Sequence, residues 1–367
     1  MTDCELKDLC SQFQLSGEFV SGKPYGEGHI NDTYCITVSD GNQYILQSVN
    51  SEVFKQPEDV MDNIILILDF LHKKIAEQGG DPYRETMTLV PANDGKYYIT
   101  TKDGMLFRVY RFITDAVCCQ TIDNPEIFYQ TGKSFGHFQK MLADFPTEKL
   151  KETIPNFHNT YQYFLKFENA VREDCLGRCA EVSAEIEFVR NHLNDTTIVM
   201  NAIEAKEIPL RVTHNDTKLN NIMFDRDNGQ GVCVIDLDTV MPGSLIFDFG
   251  DSIRFGANTA AEDEIDLQKV SLDLELFERY TRGFLEELSD SISERELKLL
   301  AFSAKLLTLE CGIRFLTDYL VGDTYFKIHR PKHNLDRART QFKLVSDIEE
   351  KMPDMEKIVR NIYATIQ

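Results

Sequence analysis

The chain has 367 residues and a formal net charge of −21, with 60 acidic and 39 basic side chains. Its length suggests two lobes, and an acidic surface repels both nucleic acid and anionic membranes, so we expect neither as a partner. The sequence has no apolar run of membrane-spanning length and no signal-peptide core, and it has an odd number of cysteines without paired spacing. These features predict a cytoplasmic protein.

The first part of the chain predicts an antiparallel sheet with one long helix. Runs that alternate between apolar and polar residues indicate strands, and a 3.6-residue apolar period indicates helices. Helices are predicted at 3–14 and 58–78, and strands at 19–25, 33–38, 44–49, 86–90, 97–101 and 105–113. We therefore predict an N-lobe over residues 1–113.

A glycine-containing turn separates the first two predicted strands. Gly26 and Gly28 lie in this turn, and Asn31 follows them. Glycine allows the backbone to approach a ligand closely, so the N–H groups of such a turn can cover phosphates. We expect Gly26, Gly28 and Asn31 at a phosphate-containing ligand.

Most of the remaining chain predicts helices, which form a second lobe over residues 114–367. Helices are predicted at 125–145, 160–170, 181–193, 272–289 and 293–320, and two short strands at 222–224 and 232–235. Together the two parts predict an α+β, bilobal fold, with an antiparallel-sheet N-lobe and a mainly helical C-lobe.

Three polar residues lie around the predicted hairpin of the second lobe, whose turn is Asn228-Gly229. Asp216 and Asn221 precede its first strand, and Asp236 ends its second. The hairpin would bring Asn221 and Asp236 together as oxygen ligands for Mg²⁺, and Asp216 could face a substrate hydroxyl. This spacing is that of a kinase catalytic loop. It predicts phosphoryl transfer from ATP with Mg²⁺, and it predicts that the bilobal fold is a protein-kinase-like fold.

Neighbouring residues would support this loop. We expect His214 to orient it and Asp248 to accept hydrogen bonds from it. Two roles stay open for Asp238. It could support the metal ligands from behind, or it could be a structural hydrogen-bond acceptor.

Gln47 departs from the kinase pattern. Kinases usually have a lysine in this strand that holds the phosphates. An amide can donate a hydrogen bond but carries no charge, so neutralisation must come from Mg²⁺, the turn backbone or a basic residue elsewhere. The strand at 105–113 leads to the second lobe as a hinge that would face the adenine edge, and we place Gln47 and Arg111 at the nucleotide.

Three further residues are candidates for acceptor binding. Arg314 lies in an otherwise apolar helix, where an unpaired charge is costly. It either pairs with Glu310 or Asp318 or faces a polar ligand. Tyr325 follows in a loop where its ring could stack on a sugar, and His158 could line an acceptor pocket or serve as a cap or core residue.

The catalytic motif resembles the aminoglycoside phosphotransferase and choline kinase branch of the kinase-like superfamily. The stretches 25–31, 44–47, 210–256 and 310–316 resemble, more closely, the bacterial N-acetylhexosamine 1-kinases, including Gln47 in place of lysine. This resemblance implies transfer of the ATP γ-phosphate to the anomeric hydroxyl of N-acetylglucosamine or N-acetylgalactosamine. It also implies Asp216 as the base, and Arg314 and Tyr325 at the sugar.

Other functions stay open from the residues alone. The acceptor could be an aminoglycoside, choline or homoserine. A nucleotide-binding pseudokinase is a different class, which Gln47 favours and the intact Asp216, Asn221 and Asp236 oppose.

Overall fold

The computed structural model describes residues 1–26 and 31–367. The chain divides into two compact units, which we describe separately. The sheet unit comprises 1–118, 144–154 and 222–242, and the helical unit comprises 119–143, 155–221 and 243–367. An antiparallel sheet in the N-terminal region and a mainly helical C-terminal part confirm the predicted α+β class.

The strands, in chain order, are β1 Phe19–Pro24, β2 Thr33–Val38, β3 Gln43–Val49, β4 Ile99–Thr100, β5 Leu106–Arg111, β6 Ala116–Cys118, β7 Arg211–Thr213, β8 Ile222–Asp225, β9 Gly231–Val234 and β10 Met241–Gly243. The α-helices are α1 Asp3–Cys10, α2 Pro57–Glu77, α3 Pro82–Glu85, α4 Pro125–Met141, α5 Thr160–Glu173, α6 Ser183–Asn191, α7 Ile198–Glu204, α8 Leu245–Gly256, α9 Leu274–Leu288, α10 Glu294–Val321 and α11 His333–Ile366.

The main sheet of the sheet unit has the order β1-β2-β3-β5-β4, and its neighbouring strands are antiparallel. Alternate residues point to one face, where Ile36, Leu46 and Phe107 pack with Leu6 of α1. Gln47 is therefore on the other face, directly between Thr33 of β2 and Arg108 of β5.

The hairpin predicted in the middle of the chain is confirmed. Strands β8 and β9 pair antiparallel, and β6 pairs with β8 to complete a three-stranded sheet. Gly229 has a φ of 71°, a left-handed conformation that glycine adopts without steric cost. The hairpin leads directly to Asp236 in the same unit.

Helix packing organises the helical unit. Helices α4 and α9 approach closely where glycines face a neighbouring backbone: a Cβ on Gly132 or Gly283 would lie 2.2 Å from the carbonyl oxygen of Tyr280 or Tyr129, respectively. Helix α10 begins with a capping box formed by Ser293 and Glu296. In the described part of the chain, no helix has both the length and the apolar character of a membrane span.

Several predicted elements are wrong. Residues 86–90, which follow α3, form no strand but a single bridge from Leu89 to Tyr110. The strand predicted at 97–101 is shortened to β4, and α1 ends at Cys10 rather than residue 14. The 34-residue helix α11 was not predicted from the sequence.

Candidate active site

Asp216 lies in the loop that follows β7, between two side chains that fix its carboxylate. Asn221 Nδ2 donates to the backbone oxygen of Asp216 at 2.8 Å and to its Oδ2 at 3.1 Å. Lys218 Nζ lies 2.8 Å from Asp216 Oδ1. The carboxylate keeps 26% of its surface exposed, so it remains accessible to a small molecule. Asn221 contacts Asp216 through its nitrogen, and its amide oxygen accepts no hydrogen bond from the described residues.

The charge state of Asp216 follows from these neighbours. Burial raises the pKa of a carboxyl, but the Lys218 ammonium and the hydrogen bond from Asn221 outweigh it. The pKa of Asp216 therefore lies below its ordinary value, and the group is a carboxylate at neutral pH. A carboxylate in this state can accept a proton or orient a hydroxyl.

Buried carboxylates of α8 hold the backbone of this loop. Asp248 accepts the backbone N–H groups of His214 at 3.0 Å and Asn215 at 2.7 Å, and the side-chain amide of Gln139 at 2.6 Å. The expectation that Asp248 accepts hydrogen bonds from the loop is confirmed. Burial raises the pKa of Asp248, so these donors compensate a costly buried group.

A second carboxylate of α8 holds the next residue of the loop. Asp251 Oδ2 accepts the Thr217 N–H at 3.0 Å, while the Thr217 hydroxyl donates to the Asp248 carbonyl at 2.6 Å. Arg254, in turn, pairs with Asp251 Oδ1 at 3.0 Å. The loop is therefore fixed at several consecutive residues before it reaches Asn221.

His158 is 4% exposed and serves this loop rather than an open pocket. Its Nδ1 lies 2.8 Å from Glu310 Oε1, and its Nε2 lies 3.1 Å from the Asn215 carbonyl oxygen. Both partners are acceptors, so both ring nitrogens carry protons and the ring is a cation. Burial lowers the pKa of His158, but the Glu310 carboxylate outweighs it and raises the pKa above its ordinary value. Both of its polar atoms are thus committed to positioning.

Arg314 extends from α10 into a group of aromatic rings. Its guanidinium carbon lies 5.1 Å from the ring centre of Tyr163, 5.5 Å from Phe326, 5.8 Å from Phe157 and 6.0 Å from Tyr325. Aromatic faces attract a cation but leave its N–H groups free to donate. Tyr325 is 65% exposed, so this aromatic group includes an accessible ring.

Neither acid that could have paired with Arg314 does so. Glu310 is taken by His158 and by the hydroxyl of Thr160 at 2.7 Å. Asp318 accepts the backbone N–H groups of residues 324–326 that follow α10. Within the described residues, Arg314 has neither a hydrogen bond nor an ion pair, so of the two sequence interpretations the polar-ligand one is favoured.

In the sheet unit, Asp236 follows β9 in a left-handed conformation with a φ of 61°. Two residues later, Asp238 is 4% exposed and forms an ion pair with Arg108 Nη2 at 2.6 Å. Its other oxygen accepts a hydrogen bond from Asn31 Nδ2 at 2.6 Å. Asp238 is thus a structural acceptor that anchors the turn after Asp236, one of the two roles left open by the sequence.

The residues predicted at the nucleotide have different environments. Gly26 has a φ of 77°, and a Cβ at this position would have no atom of the described residues within 4 Å, whereas Gly28 lies outside the described residues. Asn31 is buried and uses its oxygen to accept the Asn50 N–H at 3.0 Å. Arg111 is exposed at the end of β5, with its guanidinium carbon 4.9 Å from the ring centre of Tyr83.

Sequence reasoning missed Lys218 and Arg108. Lys218 lies two residues after Asp216, a spacing that could have indicated it. Arg108 is the one charge within the apolar stretch 106–110 of β5, the same kind of signal that Arg314 gives in its helix. Its cross-strand partner, however, depends on a register that the sequence alone does not reveal.

Comparisons with known proteins identify a matching family and similar folds. A model of the "Phosphotransferase enzyme family" matches residues 21–282. A microcompartment-associated aminopropanol kinase is similar in structure, with a TM-score of 0.63 at 15% identity over 97% of this chain and 99% of that one. An amicoumacin kinase in complex with AMP-PNP, Ca²⁺ and Ami has a TM-score of 0.60 at 13% identity, covering 95% and 93%. An aminoglycoside phosphotransferase from Alicyclobacillus acidocaldarius has a TM-score of 0.61 at 14% identity, covering 98% and 96%.

Proposed function

Because the chain belongs to the phosphotransferase enzyme family, we propose that it is a small-molecule kinase that uses Mg·ATP to phosphorylate an N-acetylhexosamine at its anomeric hydroxyl. The observation that carries this proposal is the Asp216 carboxylate, which Lys218 and Asn221 keep ionised and oriented in a partly exposed position. Such a group is suited to accept the proton of an attacking hydroxyl.

The roles of the other groups follow the same chemistry. From their place in the motif, Asn221 and Asp236 are the proposed Mg²⁺ ligands; the bound ion would neutralise phosphate charge. Gly26, Gly28, Gln47 and Arg111 are proposed to contact ATP. Since the loop is held by Asp248, Asp251 and His158, it need not reorganise when substrate arrives, and this preorganisation favours transfer.

The environments of Arg314 and Tyr325 support the proposed acceptor. The Arg314 guanidinium lies among aromatic rings and makes no hydrogen bond within the described residues, so its N–H groups can donate to an acetamido or hydroxyl oxygen. The exposed ring of Tyr325 can stack on the apolar face of a sugar. A cationic acceptor would meet the positive charge of Arg314, which favours the neutral amino sugar. The anomeric hydroxyl is the most acidic hydroxyl of such a sugar, so it is the easiest for the base to deprotonate.

Amino alcohols and aminoglycosides form a second candidate class of acceptors. One of the structurally similar proteins is named an aminopropanol kinase, and another is named an aminoglycoside phosphotransferase. A test must therefore separate the two acceptor classes.

The experiment measures ADP release from Mg·ATP with N-acetylglucosamine, N-acetylgalactosamine, aminopropanol, kanamycin, choline and homoserine. We expect turnover confined to the amino sugars, with phosphorus–proton coupling to the anomeric proton in the product. Asp216→Asn should lose at least about 1,000-fold in kcat, within the range for loss of a general base. Asp227→Asn, at an exposed position of the β8–β9 turn, is the matched control and should retain activity.

Turnover with a cationic acceptor alone would keep the kinase reaction and reject the sugar. Near-normal kcat in Asp216→Asn would reject the catalytic role of Asp216.

A further inference from the structure

Arg108 lies directly opposite Gln47, the residue that replaces the usual lysine. Residues 47 and 108 are paired in the antiparallel register of β3 and β5. Arg108 is 1% exposed, whereas Gln47 is only half-buried. The buried guanidinium of Arg108 therefore lies on the strand next to the position at which kinases usually have an exposed lysine.

The hydrogen bonds of Arg108 determine which way the Gln47 amide faces. Arg108 Nε and Nη2 donate to Gln47 Oε1 at 3.1 and 2.7 Å. Arginine has only donors, so the atom it contacts must be the amide oxygen and not the nitrogen. The Gln47 amino group then points away from Arg108, where it donates one hydrogen to Thr33 Oγ1 at 3.1 Å. Its second N–H has no acceptor among the described residues and can serve a ligand.

The same guanidinium fixes the turn after Asp236. Its ion pair with Asp238, together with the hydrogen bond from Asn31 to Asp238, joins β5, the segment just before β2, and the turn after β9. Helix α2 supplies no acid here: Arg108 Nη1 faces Met61 Sδ at 3.8 Å. The lysine–glutamate pair usual in kinases is thus absent at this position, and Arg108 and Asp238 form the buried ion pair instead.

We propose that Arg108 is a positioning residue of the nucleotide site: it turns the Gln47 amide so that an N–H faces a phosphate oxygen, and it holds the turn that carries Asp236. This inference rests on the proposed function, because it assumes that a nucleoside triphosphate binds at Gln47. It explains how an uncharged side chain can replace lysine. The Arg108 charge polarises the amide through two hydrogen bonds while Asp238 balances it.

The test is the affinity of the full-length protein for Mg·AMP-PNP, measured by titration calorimetry, with thermal melting as the folding check. Gln47→Glu is the decisive variant. Its carboxylate keeps Arg108 paired, so the melting temperature should be held or raised. It removes the N–H donors and adds a negative charge, so affinity should fall at least about tenfold, or about 1.4 kcal/mol.

A paired substitution tests the charge itself. Gln47→Lys alone puts an ammonium against the Arg108 guanidinium and should lower both melting temperature and affinity. Adding Arg108→Met removes this repulsion and lets the new ammonium pair with Asp238, so the double variant should melt at a higher temperature and bind more tightly than Gln47→Lys. Arg84→Met, which removes the Arg84–Asp225 ion pair of the same unit, is the matched control and should bind as wild type does.

The outcomes separate the two proposals. If wild-type protein does not bind Mg·AMP-PNP, the proposed function is wrong and this inference fails with it. If wild type binds and Gln47→Glu binds equally well, the kinase proposal stands and the role of Arg108 and Gln47 is wrong. A double variant that melts at a higher temperature than Gln47→Lys but binds no more tightly would also reject the positioning role.

Discussion

The loop that carries Asp216 and the turn that carries Asp236 are held by different kinds of contact. In the helical unit, Asp248 and Asp251 accept backbone N–H groups of the loop. In the sheet unit, the turn after Asp236 is held by side chains, through Arg108, Asp238 and Asn31. The first arrangement fixes backbone positions whatever side chains the loop has. The second depends on a particular buried pair of charges.

This difference predicts where each region is vulnerable. A substitution in the backbone-anchored region should disturb the catalytic geometry more than the stability, because the loop can shift while the hydrophobic core stays intact. A substitution in the buried ion pair should instead lower the free energy of unfolding, because the surviving charge stays in the interior without a partner.

Asp238→Asn should have the largest effect. Its amide would leave the buried Arg108 charge unpaired, and one orientation would set its N–H₂ against Asn31 Nδ2. We expect a loss of about 4 kcal/mol in the free energy of unfolding, as for other broken buried pairs. Urea denaturation measures it.

The control for Asp238→Asn is Glu168→Gln. Glu168 forms an ion pair with Arg190 near the surface, and the same loss of charge there should cost less than about 1 kcal/mol. Equal losses for the two variants would contradict the contrast between buried and exposed pairs.

Asp248→Asn tests the backbone-anchored region. One acceptor oxygen replaces two, so a loop N–H loses its partner and Asp216 is displaced. We expect kcat to fall about 100-fold, a typical cost of misplacing a catalytic group by about 1 Å. The KM for Mg·ATP should change little. Steady-state kinetics at saturating acceptor decide this, and unchanged kcat would show that the loop does not need the second oxygen.

The two regions were also unequal in what the sequence revealed. The spacing of Asp216, Asn221 and Asp236 and the role of Asp248 could be read directly, because they lie within one continuous stretch. The Arg108–Gln47 pair could not, because the pairing of β3 with β5 spans a long helix and several turns. A single charge in an apolar run indicates that a partner or a ligand exists without identifying it. Arg108 pairs with Asp238, whereas Arg314 has no ion pair within the described residues.

His158→Gln should have an intermediate effect that depends on pH. The pKa of His158 is raised in the folded protein, so its pairing with Glu310 contributes stability that is fully present below about pH 6.5, the unfolded value. That contribution is lost as the pH rises through the folded pKa. The variant should be less stable by about 2 kcal/mol in acid, as for a hydrogen bond to a charged group, and the gap should narrow in alkali.

Denaturation curves between about pH 5.5 and 9 measure the His158 effect, a window that brackets the unfolded histidine pKa. His137→Gln, at a more exposed histidine that pairs with Glu287, is its control and should cost less than about 1 kcal/mol. A constant gap across the pH range would show that His158 is not a buried cation.

Lys218→Met should have the smallest effect and isolates the charge of the base from its position. Asn221 and the anchored backbone still hold Asp216, but burial is no longer opposed by the Lys218 ammonium, so the pKa of Asp216 rises. The reaction needs the carboxylate, so the acid limb of kcat/KM should move to higher pH, and the plateau should fall about tenfold, the equivalent of about 1.4 kcal/mol. Lys218→Arg keeps the charge and should keep the acid limb in place. If Lys218→Met lowered the plateau without moving the limb, Lys218 would act on the substrate alone, and the ionisation of Asp216 would depend on its hydrogen bonds.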